Sequence, residues 1–279
     1  MTIKQAIDSS DIDFMSARRI LCYILEKEEK YIIINIEEEL SESNFKEFIK
    51  YVDKLKMGTP LQYITKVQEF MGEDFYVNEN VLIPQPDTEV LVEQTILKAQ
   101  EKIYEKGKAT ILDLCTGSGA IAISLKKYFE DSIEIYASDI SKEALDIANK
   151  NATNILQSNQ LINFIHSDMF ENIDLKFDII VSNPPYIKTD IISTLSKEVQ
   201  NEPKIALDGG ADGLDFYRII RENVEKYLNN EGYILMEIGY DQKEEVTNIF
   251  ENAECIKDYA KNDRVIIWRR MAKNEWIFY

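Results

Sequence analysis

Residues 110–130 read TILDLCTGSGAIAISLKKYFE, and this stretch decides the fold class. The β-branched, apolar run before Cys115 is typical of a buried strand, and the apolar residues after Gly119 are spaced as in a helix. Between them, Gly117 and Gly119 allow close approach of the backbone to a ligand, and the start of the helix offers free N–H groups. The stretch therefore predicts a strand, a ligand-binding loop and a helix in succession.

The same alternation continues along the chain. Further strand-like runs are IEIYASD (133–139), INFIHSD (162–168), FDIIVSN (177–183), GYILMEI (232–238) and RVIIWRR (264–270). Helix-like stretches such as SKEALDIANKNATNIL separate them. Strands that alternate with helices form right-handed βαβ units, so we predict an α/β fold with a mainly parallel sheet.

The chain before this region has a different pattern. Residues 1–58 are expected to be helical, because apolar residues recur every three or four positions in 14–27 and 44–57. Asn44 followed by Glu47 indicates the start of a helix. A small hairpin is expected around Gly72, and prolines 84 and 86 exclude a continuous helix or a central strand there.

The charge balance limits the partners. The chain has 279 residues, with 32 Lys+Arg against 50 Asp+Glu and a formal net charge of -18. Nucleic-acid backbones and anionic membranes are bound mainly through Lys and Arg, so both are disfavoured as main partners.

The reactive side chains exclude several kinds of site. The three cysteines are far apart and form no C-x-x-C pair, which indicates a reduced protein without a cysteine-based zinc site. His166 is the single histidine, so Ser-His-Asp catalysis, Cys-His catalysis and multi-histidine metal sites are disfavoured. With neither a signal-like N-terminus nor a membrane-spanning apolar run, we expect a cytoplasmic protein.

An acid after the second strand indicates the kind of cofactor. Asp139 ends that strand, and a carboxylate at this position commonly accepts both ribose hydroxyls. Residues 117–122 also match G-x-G-x-x-A, the permissive dinucleotide fingerprint, so the loop alone leaves the cofactor open. Asp113 favours a cofactor with a cationic sulfonium, since a carboxylate would repel a pyrophosphate. Asp168 ends the third strand, where it could meet an adenine amino group beside the apolar Met169.

The segment FDIIVSNPPYI (177–187) gives the sharpest chemical signal. Asn183 offers a side-chain carbonyl and Pro184 a backbone carbonyl, which together can accept both hydrogens of a planar NH2 group. Tyr186 can stack on the π face of the substrate. Two acceptors can hold a weakly nucleophilic nitrogen and aim it at an electrophilic methyl group without a side-chain base.

These motifs resemble those of class I S-adenosylmethionine-dependent methyltransferases. Within that class, the chain is similar to the protein-(glutamine-N5) methyltransferases of peptide chain release factors, the bacterial HemK/PrmC family. The similar segments are GTPLQYI (58–64), EFMGEDFYV (69–77), VLIPQPDTEVLVE (81–93), LDLCTGSGAIAISL (112–125), NPPY (183–186), EPKIALDGGADGLDFYR (202–218) and NDRVIIW (262–268). NPPY is shared with DNA and RNA amino-methyltransferases, whereas its combination with PQPDTE and the ALDGG segment is far more specific.

The resemblance implies a role for each matching residue. The methionine part of S-adenosylmethionine would be wrapped by the loop of Cys115, Thr116, Gly117, Ser118 and Gly119. Asp139 would hold the ribose of the cofactor, and Asp168 and Met169 would flank its adenine. Asn183 would border the cofactor. Asn183 and Pro184 would also grip the substrate amide nitrogen, while Pro185 and Tyr186 would shape its slot. The substrate would be the glutamine of the Gly-Gly-Gln motif in class I release factors, the product S-adenosylhomocysteine, and no metal would be needed.

The resemblance also implies the domain organisation. A helical substrate-docking domain (1–70) and a β-hairpin linker (71–83) would precede the methyltransferase domain (84–279), whose Rossmann-like sheet would have seven strands, the last antiparallel. We expect a monomer that contacts neither nucleic acid nor membrane directly. Gln85 stands where the family often has arginine. The aromatic tail KNEWIFY (273–279) is expected to pack on the core, with an exposed patch as the alternative.

Two other functions remain open from the sequence. A nucleic-acid adenine or cytosine amino-methyltransferase would use the same NPPY chemistry on a flipped base, but the acidic balance disfavours it. A dehydrogenase-like or other nucleotide-binding domain is compatible with the glycine loop, but it leaves NPPY unexplained.

Overall fold

The computed structural model describes residues 1–158 and 161–271. The helices are α1 (Ile3–Ser9), α2 (Phe14–Leu25), α3 (Glu29–Ile34), α4 (Glu42–Lys56), α5 (Leu61–Thr65), α6 (Pro86–Lys106), α7 (Ala120–Phe129), α8 (Lys142–Leu156), α9 (Lys197–Gln200), α10 (Lys204–Leu207), α11 (Asp215–Tyr227) and α12 (Lys243–Ile249). The strands are β1 (Val67–Phe70), β2 (Glu73–Tyr76), β3 (Ala109–Leu114), β4 (Ile133–Asp139), β5 (Asn163–His166), β6 (Phe177–Ser182), β7 (Leu228–Glu237), β8 (Glu254–Lys257) and β9 (Asp263–Arg269).

The chain forms two compact units. The helical unit comprises residues 1–67 and 195–202, and the sheet unit comprises residues 68–194 and the described residues from 203 onward. The predicted division at residues 70 and 83 remains a prediction. The predicted packing of the aromatic tail concerns residues 273–279, which lie outside the described ranges.

The helical unit confirms the helical periodicity read in the first 58 residues. Ile3, Leu21 and Phe48 are fully or almost fully buried in its core. The predicted start of the fourth helix is wrong by a few residues. Helix α4 begins at Glu42, and the Ser41 hydroxyl caps it by accepting from the Asn44 N–H at 3.1 Å. Serine at this position is a strong N-cap, so Asn44 lies inside the first turn.

The sheet unit contains the predicted α/β architecture. Its seven-stranded sheet has the order β5-β4-β3-β6-β7-β9-β8, and β9 is antiparallel to both of its neighbours. Neighbouring residues of β3 point to opposite faces: Ile111 joins the core on one side, and Leu112 joins the core on the other. The sheet is therefore covered on both faces, as expected for parallel strands connected by helices.

Two elements of this unit do not follow from the sequence patterns described above. The 21-residue helix α6 begins at Pro86, which is tolerated there because the first residues of a helix have no intrahelical partner for their N–H groups. The edge strand β8 has only four residues and no clear alternation of apolar and polar residues. Within the described ranges, no helix is long and apolar enough to cross a membrane.

Candidate active site

A cavity of about 380 Å³ lies at the edge of the sheet where β3, β4 and β6 end. This volume is within the usual range for small-molecule sites. Segments 80–88, 114–121, 138–144, 167–169 and 203–219 contribute lining residues, together with Asn183 and Pro185. The carboxyl ends of parallel strands meet at one edge, so loops that are far apart in the chain converge on one cavity.

Most of the predicted site residues line this cavity. They are Cys115, Thr116, Gly117, Ser118, Asp139, Asp168, Met169, Asn183 and Pro185. Three predicted residues, Gly119, Pro184 and Tyr186, are not among the lining residues. Gly119 has φ +82°, and a Cβ there would lie 2.9 Å from Ile123 Cδ1 and 3.1 Å from Ala148 Cβ. Glycine at this position lets α7 pack closely on α8.

Asp139 fixes the shape of the glycine loop. Its Oδ2 accepts a hydrogen bond from the Gly117 N–H at 2.8 Å, and its Oδ1 accepts one from the Ser141 N–H at 2.9 Å. Burial raises the pKa of Asp139, and these backbone hydrogen bonds partly oppose that shift. Each carboxylate oxygen has further lone pairs, so the same group can also accept ribose hydroxyls.

Asp113 supports the loop from beneath. It is fully buried and does not line the cavity, contrary to the sequence interpretation that its side chain faces a cationic cofactor group. Its Oδ2 accepts hydrogen bonds from the Thr116 hydroxyl at 2.6 Å and the Ala122 N–H at 3.1 Å. Burial raises the pKa of Asp113 to about 7. The two hydrogen bonds to Asp113 hold the loop onto the first turn of α7.

Two residues beside the loop adopt left-handed backbone conformations. Cys115 has φ +64° and Met169 has φ +43°, and their sulfur atoms lie 3.9 Å apart at the cavity. Such conformations are unfavourable for non-glycine residues and tend to occur at functional sites. Burial raises the pKa of the Cys115 thiol well above its usual range, which disfavours the reactive thiolate form.

The Asn-Pro-Pro-Tyr loop is held by the ALDGG segment. The Ile187 N–H donates to the Leu207 carbonyl at 2.9 Å, and the Gly209 N–H donates to the Ile187 carbonyl at 2.8 Å. A Cβ on Gly209 would lie 2.7 Å from Tyr186 Cα, and one on Gly213 would lie 2.5 Å from the Tyr186 carbonyl oxygen. The two glycines therefore let residues 206–213 lie directly against the Asn-Pro-Pro-Tyr loop.

Asn183 and Tyr186 point to different environments. Asn183 lines the cavity, and its Nδ2 donates to the Thr88 hydroxyl at 3.3 Å, so its carbonyl oxygen lies on the other side of the amide. The Tyr186 hydroxyl donates to Glu237 Oε1 at 3.3 Å, and its ring packs against the apolar core. Burial raises the pKa of Tyr186 above its usual value. Stacking of Tyr186 on a substrate remains a prediction.

Several site residues have no role in the sequence analysis. An apolar wall is formed by Pro203, Ile205, Ala206, Phe216 and Ile219, and Thr88 lines the cavity near Asn183. All of these residues except Ile219 belong to the segments quoted above for their resemblance, PQPDTE and EPKIALDGGADGLDFYR, and Ile219 directly follows the second segment. That resemblance was the available signal, but the spacing within the segments does not reveal which side chains face the cavity.

The cavity fits S-adenosylmethionine. Asp139 offers acceptors for ribose hydroxyls, and the backbone of the glycine loop can approach the amino-acid part of the cofactor. Met169 and Ile140 offer apolar surface for adenine. Among residues 1–158 and 161–271, no group of three or more His, Cys, Asp or Glu side chains is arranged to hold a metal ion.

The fold and this site define a methyltransferase of the Rossmann-like class. The release factor glutamine methyltransferase of Clostridium acetobutylicum is 42% identical over 276 residues, which cover 93% of each chain. That of Clostridium botulinum is 40% identical and covers 96% of this chain and 94% of its own. This chain belongs to the release factor glutamine methyltransferase family.

Two family models match separate parts of the chain. The PrmC N-terminal domain matches residues 2–65, and the methyltransferase small domain matches residues 88–210. A solved methyltransferase structure from Pyrococcus furiosus has a TM-score of 0.54 and 17% identity. The match covers 80% of this chain and 99% of that one, and it supports the fold.

Gly209→Ala is expected to lower the methyl-transfer rate about tenfold, because the new methyl group displaces the backbone of residues 185–186. The cofactor contacts lie elsewhere, so S-adenosylmethionine affinity measured by calorimetry should change little. Gly232→Ala is the matched control, since a Cβ there would also be crowded, at 3.0 Å from the Asn229 and Asp178 carbonyl oxygens, but in β7 and not beside the Asn-Pro-Pro-Tyr loop. A Gly209→Ala rate equal to that of Gly232→Ala would contradict this role.

Proposed function

We propose that this protein transfers the methyl group of S-adenosylmethionine to the side-chain amide nitrogen of the glutamine in the Gly-Gly-Gln motif of class I release factors. The orientation of Asn183 carries the proposal. Its Nδ2 donates to Thr88, so its carbonyl oxygen lies at the other end of the amide, where we expect it to accept from a substrate NH2 group. Membership of the release factor glutamine methyltransferase family supports the same substrate.

The chemistry requires little more than orientation. Asn183 Oδ1 and the Pro184 carbonyl accept the two hydrogens of the amide NH2 and hold the nitrogen in place. S-adenosylmethionine, when bound, supplies the methyl group, which the nitrogen receives as the sulfur–carbon bond breaks. One amide proton is then lost to water. The apolar wall of Phe216 and Ile219 limits the water around the amide and strengthens its polar contacts.

The proposed location follows from the proposed substrate. Release factors act in translation, so the protein acts in the cytoplasm. The substrate is a protein, which is compatible with the net charge of -18. We propose that the helical unit helps to dock the release factor and that the enzyme works as a monomer.

The test uses S-adenosylmethionine carrying a labelled methyl group. Three substrates are compared: a class I release factor, the same factor with the Gly-Gly-Gln glutamine replaced by alanine, and a DNA duplex. Label should enter only the unaltered factor, and peptide mapping should place it on that glutamine. Equal labelling of both factors, or labelling of DNA alone, would overturn the proposal.

A further inference from the structure

A buried chain of hydrogen bonds continues from Asn183 away from the cavity. The Asn183 amide donates to Thr88 Oγ1 at 3.3 Å, and that hydroxyl donates to Glu237 Oε2 at 2.7 Å. Thr88 is 5% exposed and Glu237 is 2% exposed. Thr88 lies in the first turn of α6 and Glu237 at the end of β7, so packing of these two elements completes the chain.

The direction of these hydrogen bonds follows from elementary chemistry. An ionised carboxylate can only accept hydrogen bonds, so the Thr88 hydroxyl must donate its single hydrogen to Glu237. The hydroxyl then presents only a lone pair to Asn183, and only the NH2 end of the amide can face it. The two ends of an asparagine amide have nearly the same shape, so packing alone selects between them weakly.

We propose that Glu237 is a positioning residue for methyl transfer, because its ionised carboxylate acts through Thr88 to keep the Asn183 carbonyl oxygen facing the substrate. A protonated Glu237 can donate to Thr88 instead. Thr88 would then donate to Asn183 Oδ1, and the amide would turn its NH2 group toward the substrate NH2. Two donors would face each other, and the nitrogen would no longer be held. This inference rests on the proposed function for the identity of the substrate.

The groups around Glu237 set the pH range of this effect. Burial raises the pKa of Glu237 to about 7, the Thr88 hydrogen bond and Arg264 oppose the shift, and Asp87 adds to it. Arg264 is paired with Asp87 at 3.0 Å and with Asp258 at 3.2 Å. From the remaining neighbours, the Tyr186 hydroxyl donates to the carboxylate and the Tyr217 hydroxyl donates to the Glu237 backbone carbonyl. The ionised form therefore dominates only above about pH 7.

The same shift predicts opposite effects on stability and activity. The pKa of Glu237 in the folded protein lies above its ordinary value of 4.5, so folding favours the neutral form. Its contribution to stability is present at low pH and is lost as the pH rises from 4.5 to about 7. Glu237→Gln, which is neutral at every pH, should therefore raise the melting temperature at pH 8 and remove the fall in kcat on the acidic side.

The test measures kcat and KM for the release factor from about pH 6 to pH 9. The wild-type kcat should fall about tenfold on the acidic side, and Glu237→Gln should have a flat profile, because its amide does not titrate. Thr88→Val should also lose about tenfold in kcat, whereas Thr88→Ser should restore it. S-adenosylmethionine affinity should stay within about twofold in all three variants.

Thr95→Val is the matched control. Thr95 is a fully buried threonine on the same helix, and its hydroxyl donates to the Leu91 carbonyl at 2.7 Å, away from the site. The kcat of Thr95→Val should equal that of the wild type. The proposal is overturned if Glu237→Gln keeps the fall in kcat on the acidic side, or if Thr88→Ser is as slow as Thr88→Val. Failure of the wild type to methylate the release factor would instead reject the proposed function.

Discussion

Asn183→Ala is expected to lower kcat for methyl transfer by about 10²–10³, the usual cost of removing one preorganised polar contact from an active site. Alanine removes the side-chain acceptor that faces the cavity and the donor that pairs with Thr88. The Pro184 carbonyl alone would leave one hydrogen of the substrate NH2 group without a partner. The nitrogen would then be neither aimed nor polarised.

Affinity for S-adenosylmethionine should be largely retained in this variant, because the glycine loop and Asp139 remain in place. The measurement is single-turnover methyl transfer with calorimetry of cofactor binding. Asn163→Ala, which changes an exposed asparagine on the edge strand β5, is the control and should keep the wild-type rate. An Asn183→Ala rate within a few-fold of the control would remove Asn183 from the catalytic role.

Asp139→Ala is expected to weaken cofactor binding about a hundredfold, the scale of one or two lost hydrogen bonds to a charged group. This substitution is expected to have two consequences. The acceptor predicted for the ribose hydroxyls is lost, and the Gly117 and Ser141 N–H groups lose the acceptor that the structure shows. The loop would therefore have to be ordered by the cofactor itself, which lowers the observed affinity further.

Calorimetry with S-adenosylmethionine and S-adenosylhomocysteine measures this effect. Asp146→Ala, an exposed aspartate on α8, is the control and should bind as the wild type does. Protonation of Asp139 would remove an acceptor, and its pKa is raised by burial, so the affinity of the wild type should fall toward acidic pH. Unchanged affinity in Asp139→Ala would reject the ribose assignment.

The parts of the site that depend on local backbone chemistry were predictable. Gly117 and Gly119 both have positive φ, and the prolines after Asn183 restrict the loop, so these residues carry their geometry in their own covalent structure. Asp139 is the last residue of its strand, so its position at the sheet edge also follows from the pattern. The α/β class was also predictable, because the alternation of strands and helices is a pattern of residues that are neighbours in the chain.

Other features of the fold and the site, such as β8 and the burial of Asp113, have no signal in the neighbouring residues of the sequence. Strand β8 is a four-residue edge strand that pairs with β9 and with no other strand among the described residues, so it depends on that pairing and not on a pattern of its own. Asp113 looked like a ligand group because it lies two residues from the loop. The structure buries it completely, because the loop turns back over it and uses its carboxylate as an internal acceptor.

The sequence by itself determined the fold class, the glycine loop with its acid, and the Asn-Pro-Pro-Tyr motif, because each depends on residues that are neighbours in the chain. Only the tertiary structure decided how Asn183 is oriented. Thr88 and Glu237 are 149 positions apart and meet only when α6 packs beside β7. A hydrogen bond between distant residues leaves no periodicity and no spacing rule in the sequence, so its existence had to be read from the packed structure.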